Sequence, residues 1–254
     1  MATALAPIGD QLRREIVVVD YLQTDDATRT HERDGPATFL ADFRGKLQAD
    51  AYTGYDGLYQ DGRVLEIGCW AHARRGFVEA FLIDTTAALM IALMQQLYDV
   101  ERDAAALDPD ARRAVRQEYS VPLLGKIDAE RQALARTVLP KSPLGDAVRF
   151  LTNQWAALQR FTEDGRLAID NNRAENQLRV VAVGRKNWLF AGSFAGARRA
   201  ALLYSLVQSC TLIDVPPFDY LKDVLVRIAT HPHHLIAQLT PRGWRDTFFT
   251  PTTS

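Results

Sequence analysis

Lys46-Leu47-Gln48-Ala49-Asp50-Ala51-Tyr52, with Thr53-Gly54-Tyr55-Asp56-Gly57 behind it, is the stretch on which the fold reading turns. Its first seven residues resemble a short strand, and the Gly- and Asp-bearing run that follows breaks it into a turn. Asp50 therefore falls at the carboxyl end of a strand, where open α/β folds collect their sites. Downstream, Arg63-Val64-Leu65-Glu66-Ile67-Gly68-Cys69-Trp70 reads as another strand, followed by a helix from Ala73 to Phe81. Upstream, apolar positions from Pro36 to Phe43 have helical spacing, with Gly45 closing that helix, and Thr24 to Gly35 has the composition of an exposed connection. The β-branched run Glu15-Ile16-Val17-Val18-Val19-Asp20-Tyr21 predicts a largely buried first strand, preceded by irregular chain. Strand, helix, strand and strand-to-helix is the grammar of an α/β domain.

From Thr85 to Glu163 the texture changes to Ala, Leu, Arg, Glu and Gln at helical spacing, broken near Pro109, Pro122 and Pro140 to Pro143. This all-helical block reads as an insertion whose hairpins pack on themselves, burying Leu123, Leu124, Leu134, Phe150, Leu151, Trp155 and Leu158. Beyond it, Asp170 to Val181 predicts a capped helix, Gly184 to Gly196 a glycine-punctuated loop, and Ala197 to Leu212 and Pro217 to Ala229 two more helices. The tail after His231, rich in Pro, Thr and His, is expected to pack loosely. The expected organisation is a partial core over 1–84, a helical insertion over 85–164, completion of the core over 165–230, and a tail over 231–254.

The 254 residues are 47% hydrophobic and 24% charged, ordinary values for a globular chain. A net charge of −1 offers no global argument for a nucleic-acid partner, so any DNA surface must be a local patch. Cys69 and Cys210 are too few for a disulfide framework and favour a reducing compartment. The longest apolar stretch, Phe81 to Leu97, is interrupted by Asp84, Thr85, Thr86, Gln95 and Gln96 and is shorter than the roughly 20 residues of a membrane span. Met1 to Ile8 lacks the pattern of a secretory signal, so a cytoplasmic location with no membrane partner is the expectation.

Polar side chains crowd one helical turn in Ile169-Asp170-Asn171-Asn172-Arg173-Ala174-Glu175-Asn176-Gln177-Leu178-Arg179. Asp170 or Asn171 can cap it, and Asn172, Glu175, Asn176 and Arg179 share a face, the bland alternative being a solvated helix start with a Glu175 to Arg179 surface pair. Between Asn171 and Ile213, Glu175 is the only acidic residue among six basic ones, Arg173, Arg179, Arg185, Lys186, Arg198 and Arg199. Interleaved Trp188 and Phe190 make this a surface suited to phosphates and bases. Cys69-Trp70-Ala71-His72 lacks a second pair at zinc spacing, and His72 beside Arg74 and Arg75 fits better as a donor to phosphate or to a carboxylate. Phosphate-binding, dinucleotide and nucleophile-elbow motifs are all missing.

Leu47-Gln-Ala-Asp-Ala-Tyr-Thr-Gly-Tyr-Asp, Gly68-Cys-Trp-Ala-His-Ala-Arg-Arg, Asp170-Asn-Asn-Arg-Ala-Glu-Asn and Gly184-Arg-Lys-Asn-Trp-Leu-Phe-Ala-Gly-Ser, in this order, strongly resemble the insertion-sequence 66 family of bacterial transposases, from about Ile16 to the region of Trp244. The resemblance implies a ribonuclease-H-like core with an Asp-Asp-Glu triad, in which Asp50 matches the second Asp and Glu175 the final Glu. It implies two Mg²⁺ ions about 3.5 to 4 Å apart serving DNA cleavage and strand transfer. Cys69 to His72 matches a Cys-x-x-His element of related transposases, and Arg173, Arg179 and Lys186 would orient the phosphate backbone.

In the family the first Asp lies on the first core strand, whereas the strand at Ile16 to Asp20 matches the third. Asp10 has no strand before it, and Asp20 falls too late. The expectation is a truncated chain whose sheet lacks its first two strands and whose independent transposition is doubtful. Two other readings stay open: a non-catalytic DNA-binding remnant that associates with an intact transposase or with itself, and a Mg²⁺-dependent nuclease of the same fold.

Overall fold

The computed structural model describes residues 2–17, 21–23, 38, 40–176, 179 and 193–249. In chain order its elements are helix α1 (Ala2–Val17), strands β1 (Tyr21–Gln23) and β2 (Gly45–Gln48), short helix α2 (Asp56–Tyr59) and strand β3 (Val64–Ile67). Helices α3 (Trp70–Phe81), α4 (Ala88–Asp103), α5 (Pro109–Val115), α6 (Val121–Thr137), α7 (Pro143–Asn153) and α8 (Trp155–Gln159) follow, and then α9 (Phe194–Leu212), α10 (Pro217–Arg227) and α11 (Pro241–Phe248). The chain divides into two units, residues 20–176 and residues 1–19 with 177–254. Among the described residues no helix is long and apolar enough to cross a membrane.

In the 20–176 unit the strands form a parallel sheet in the order β1-β2-β3, with Leu22 opposite Leu47 and Leu47 opposite Glu66. The chain is thus α/β, with far more helix than sheet. Gly45 does not close a helix; it opens β2 at φ 141°, a conformation that suits a residue without Cβ, and donates to the carbonyl of Arg63 at 3.0 Å. The expected strand 46–52 ends at Gln48, and the expected strand 63–70 ends at Ile67. Helix α3 starts at Trp70 because the Trp70 amide donates to Ile169 and its indole to Leu158, which turns the chain off the sheet. Trp70, Ala73, Phe77 and Ala80 then line the buried face of α3 at spacings of three and four.

The helices of the block pack on one another, as expected, and share one core with the sheet and α3. Ile67, Trp70 and Phe77 are in the same buried cluster as Met90, Met94, Leu97, Leu124, Ile127, Leu151, Leu158 and Phe161. Leu123, Leu134 and Leu144 are buried there as well, while Phe150 and Trp155 pack partly exposed against it. Small residues set the closest approach: a Cβ on Gly76 of α3 would lie 3.3 Å from Ala147 of α7. Helix α8 closes the end of β3, where Gly68 donates to Ala157 at 2.9 Å and a Cβ on Gly68 would meet the Leu158 backbone at 2.8 Å.

Between α5 and α6 the backbone widens into a π turn, Arg116–Ser120, which directs the fully buried Arg116 inward. All five guanidinium N–H groups are used. Nε and Nη2 grip the Glu101 carboxylate at 2.7 and 2.6 Å, Nη1 reaches the carbonyls of Phe161 and Asp164, and Nη2 also reaches that of Leu167. Lys46 of β2 holds the Asp164 carboxylate at 2.7 Å, and Gln48, fully buried, donates to the carbonyls of Gly68 at 3.0 Å and Ala168 at 2.9 Å. The segment 161–171 is therefore fixed to both the helices and the sheet.

The second unit contradicts two expectations. Residues before Glu15 are helical, and α1 runs through Val17, since Leu5 and Ile8 bury completely and Leu12 packs beside them against residues of α9 and α10. Tertiary burial outweighs the β propensity of Ile16 and Val17. Of the expected strand, Tyr21 falls in β1, and residues 18–20, Asp20 among them, lie outside the described residues. Asp10 is exposed on α1. The tail is not loose: Trp244 is buried on Tyr220 in an edge-to-face pair at 5.7 Å, its indole N–H donates to Asp223 at 2.6 Å, and Tyr220 O–H donates to Leu239 at 2.8 Å.

Replacing Arg116 by Met strands the Glu101 carboxylate and three carbonyls, so Arg116→Met is expected to destabilise folding by about 3–5 kcal/mol. Arg102→Ala, at an exposed pair, should stay within about 0.5 kcal/mol in the same urea titrations. A loss below about 1 kcal/mol for Arg116→Met would contradict the assignment.

Arg166 first, and then Lys46, hold the Asp164 carboxyl well below the usual carboxylate range against the opposing effect of burial. A depressed folded-state value means that the stabilisation is complete above the unfolded value of about 3.9 and is lost as pH falls through the folded one. Below about pH 4 the wild type should therefore lose stability more steeply than Asp164→Asn in acid titrations followed by circular dichroism.

Candidate functional site

The carboxyl ends of parallel strands present free backbone groups and chain exits, and both carboxylates singled out in the sequence belong to segments that leave this edge. Asp50 lies two residues beyond β2, half-buried, and its Oδ1 accepts the Tyr52 amide at 3.3 Å. Ala51 has φ 65°, a left-handed conformation costing a residue with Cβ about 1–2 kcal/mol. The chain therefore reverses immediately after Asp50.

At the end of β3, Cys69 precedes α3 but does not cap it. Its Sγ is 3.0 Å from Asn171 Oδ1 and 3.1 Å from His72 Nδ1. Burial pushes the thiol up to about 11, so the sulfur carries its proton at neutral pH. The two contacts join the end of β3, the first turn of α3 and Asn171, and they leave His72 Nε2 on the side of Glu175.

Asn171, fully buried, also starts the helical turn at 172–176: its carbonyl accepts the amides of Ala174 at 2.9 Å and Glu175 at 3.1 Å. Asp170 supplies the side-chain cap, accepting the Asn172 amide at 3.1 Å and its carboxamide at 2.8 Å, and Tyr98 O–H donates to the same carboxylate at 3.0 Å. The turn presents Glu175 to α3. Glu175 Oε1 is 3.4 Å from His72 Nε2, and Oε2 is 4.0 Å from Arg75 Nη2. The first distance is longer than a well-formed hydrogen bond. Oε1 is a carboxylate oxygen removed from solvent, with no hydrogen-bond partner among the described residues.

Among the other residues anticipated for the site, Arg74 lies on α3 with Nη2 3.5 Å from Gln95 Oε1, and Asn172 lines the adjoining cleft. Arg173 and Arg179 are exposed, Arg179 in the other unit, as are Arg198 and Arg199 on α9. Arg185, Lys186, Trp188 and Phe190 lie outside the described residues. Among the described residues no group of three or more His, Cys, Asp or Glu side chains is arranged to hold a metal ion. The pairing of Cys69 with Asn171, 102 residues apart, had no local signal; only the i,i+3 spacing of Cys69 and His72 at a helix start hinted at it.

Family comparison matches residues 13–199 to the model described as "Transposase IS66 family" and residues 205–242 to the "IS66 C-terminal element". Among curated proteins, the chain is 35% identical over 232 residues to "Uncharacterized protein y4hP" of Sinorhizobium fredii, covering 83% of this chain and 41% of that one. It is 32% identical over 216 residues to "Uncharacterized protein y4jD" of the same organism, covering 81% and 42%. The chain thus spans about two fifths of the relatives it matches. No solved structure matches.

Burial pushes the Cys69 thiol up to about 11 and the Cys210 thiol up to about 12. Neither is expected to react with an aromatic disulfide reagent at pH 8 in the native protein, and both should react in concentrated urea. Rapid native labelling of Cys69 would contradict its role as a buried S–H donor.

Proposed function

The chain belongs to the IS66 family of transposases, and from that membership we propose that it carries part of an Asp-Asp-Glu catalytic site for DNA cleavage and strand transfer. Asp50 is the second Asp and Glu175 the final Glu of the triad, on a ribonuclease-H-like core built around the parallel sheet, with α4 to α8 as its helical insertion. The single observation that carries this reading is Glu175 Oε1, a buried carboxylate oxygen beside His72 and Arg75 that has no hydrogen bond among the described residues. Such an oxygen is costly in a fold unless something binds it.

An unsatisfied carboxylate oxygen fits a hard divalent cation, and Asp50 is a second donor of the oxygen type that Mg²⁺ takes. Asp50 and Glu175 would hold the metal. When bound, Mg²⁺ lowers the pKa of an attacking water or 3′ hydroxyl and neutralises charge on the leaving oxygen.

The chain's own residues do the rest by positioning. Asn171 and Cys69 fix the start of the Glu175 turn and the ring of His72, and His72 in turn orients Glu175. Arg75, about half exposed, extends from Glu175 toward solvent, where a phosphodiester would approach. Arg173, Arg179, Arg185 and Lys186 supply backbone charge for DNA, and Trp188 a stacking surface.

The test is Mn²⁺ binding followed by electron paramagnetic resonance. Asp50→Asn and Glu175→Gln are each expected to weaken binding by at least about 10-fold with unchanged circular dichroism. Unchanged affinity in both variants overturns the reading. Strand-transfer products from a duplex bearing the element ends, against cleavage products alone, separate a transposase from a nuclease.

A further inference from the structure

Beside Glu175, α3, α4 and the 172–176 turn enclose a cleft of about 530 Å³, lined by Arg74, Arg75, Glu79, Gln95, Tyr98 and Asn172. We propose that this cleft binds a phosphate group of a DNA strand through Arg74 and Arg75. The proposal rests on the transposase reading and adds to it a defined subsite for the strand next to the reacting carboxylate.

Arg74 carries the argument. Among the described residues its Nε–H has no hydrogen-bond partner and its Nη2 makes a long 3.5 Å contact with Gln95 Oε1, while the side chain lines the cleft. A guanidinium so weakly engaged by its own protein can take an anion at its outer N–H groups, and phosphate oxygens match its fork.

Arg75 connects the cleft to the site. It lines the same wall, is about half exposed, and lies 4.0 Å from Glu175 Oε2, so an anion held there sits one side chain from that carboxylate. Asn172, one helical turn before Glu175, forms another part of the wall. Tyr98 does not compete for the anion, because its hydroxyl donates to Asp170 at 3.0 Å. Glu79 opposes an anion, yet two arginines against one glutamate leave the lining positive. The volume is within the roughly 300–1,000 Å³ of ordinary ligand pockets, enough for the phosphate together with part of its nucleoside.

The experiment is fluorescence anisotropy of a fluorescein-labelled duplex with the full chain over a range of salt concentrations. Arg74→Gln is expected to weaken binding about 5- to 10-fold near 0.1 M salt and to reduce the slope of log K against log salt by about 1, while Arg74→Lys keeps the slope. Glu79→Gln, on the exposed side of α3, should tighten binding, a change that misfolding does not produce. An unchanged slope in Arg74→Gln together with unchanged affinity in Glu79→Gln overturns the cleft assignment while leaving the transposase reading intact. Absence of salt-dependent duplex binding in the wild type overturns both. Calorimetric titration with inorganic phosphate adds the last arm: Arg74-dependent phosphate binding without any Arg74 effect on the duplex marks a free-phosphate site and overturns the assignment to DNA.

Discussion

The buried ion pair of Arg116 with Glu101 determines where the rest of the 20–176 unit can go. An arginine without solvent access is tolerable only when every donor has a partner, and Arg116 finds its partners on two sides of the chain. The carboxylate comes from α4, and the carbonyls come from the turn at 161–167. That turn contains no regular element to hold it after the 3₁₀ turn Arg160–Glu163, so the guanidinium takes the place of backbone pairing. Its direct continuation, 168–171, then meets Gln48 and Trp70 at the sheet edge. A π turn at Arg116–Ser120, ordinarily an unfavourable backbone, is what aims the side chain inward.

This arrangement compensates for a small sheet. Strands of three and four residues form few ladder hydrogen bonds, and an all-parallel sheet is normally covered by helices on its faces. Here side chains extend the sheet's connections past its strands. Gln48 ties the ends of β2 and β3 to residue 168, Lys46 ties β2 to Asp164, and Arg160 reaches the carbonyl of Glu66. The positions that carry Asp50, Cys69 and Asn171 are therefore anchored by bonds made between segments 20 or more residues apart, a rigid setting for a site.

What was legible in the sequence follows from how local each signal is. The helical block from 85 onward announces itself in every turn, because its apolar spacing is a property of neighbouring residues. Asp50 and Glu175 stood out for their places at a strand exit and a capped helix start; Asp50 lies two residues beyond β2, and Glu175 lies beside His72 of α3. Helix α1 was hidden because the β-branched run at its end argues for strand, and the opposing argument, the burial of Leu5 and Ile8, comes from α9 and α10, about 200 residues away. Trp244 was hidden in the same way: a Pro- and Thr-rich tail looks loose until Asp223 and Tyr220 are placed beside it. Cys69 could be seen with His72 but not with Asn171.

Both candidate carboxylates have a locally unfavourable neighbour, and the two cases are different in kind. After Asp50 the cost is conformational, an alanine held at φ 65° where glycine would be easier. At Glu175 it is electrostatic, a desolvated oxygen without a hydrogen bond, worth about 1–3 kcal/mol or more. Neither feature helps the fold, and each persists because its surroundings are over-determined, by the Tyr52 amide in one case and by Asn171, Cys69 and His72 in the other. Sites that bind and react are where such local conflicts concentrate, since a group already satisfied by its own protein has little left to offer a ligand. One conflict falls on Glu175 itself and the other on Ala51, the neighbour of Asp50; one is an unmet hydrogen bond and the other a backbone angle, and neither can be read from a motif.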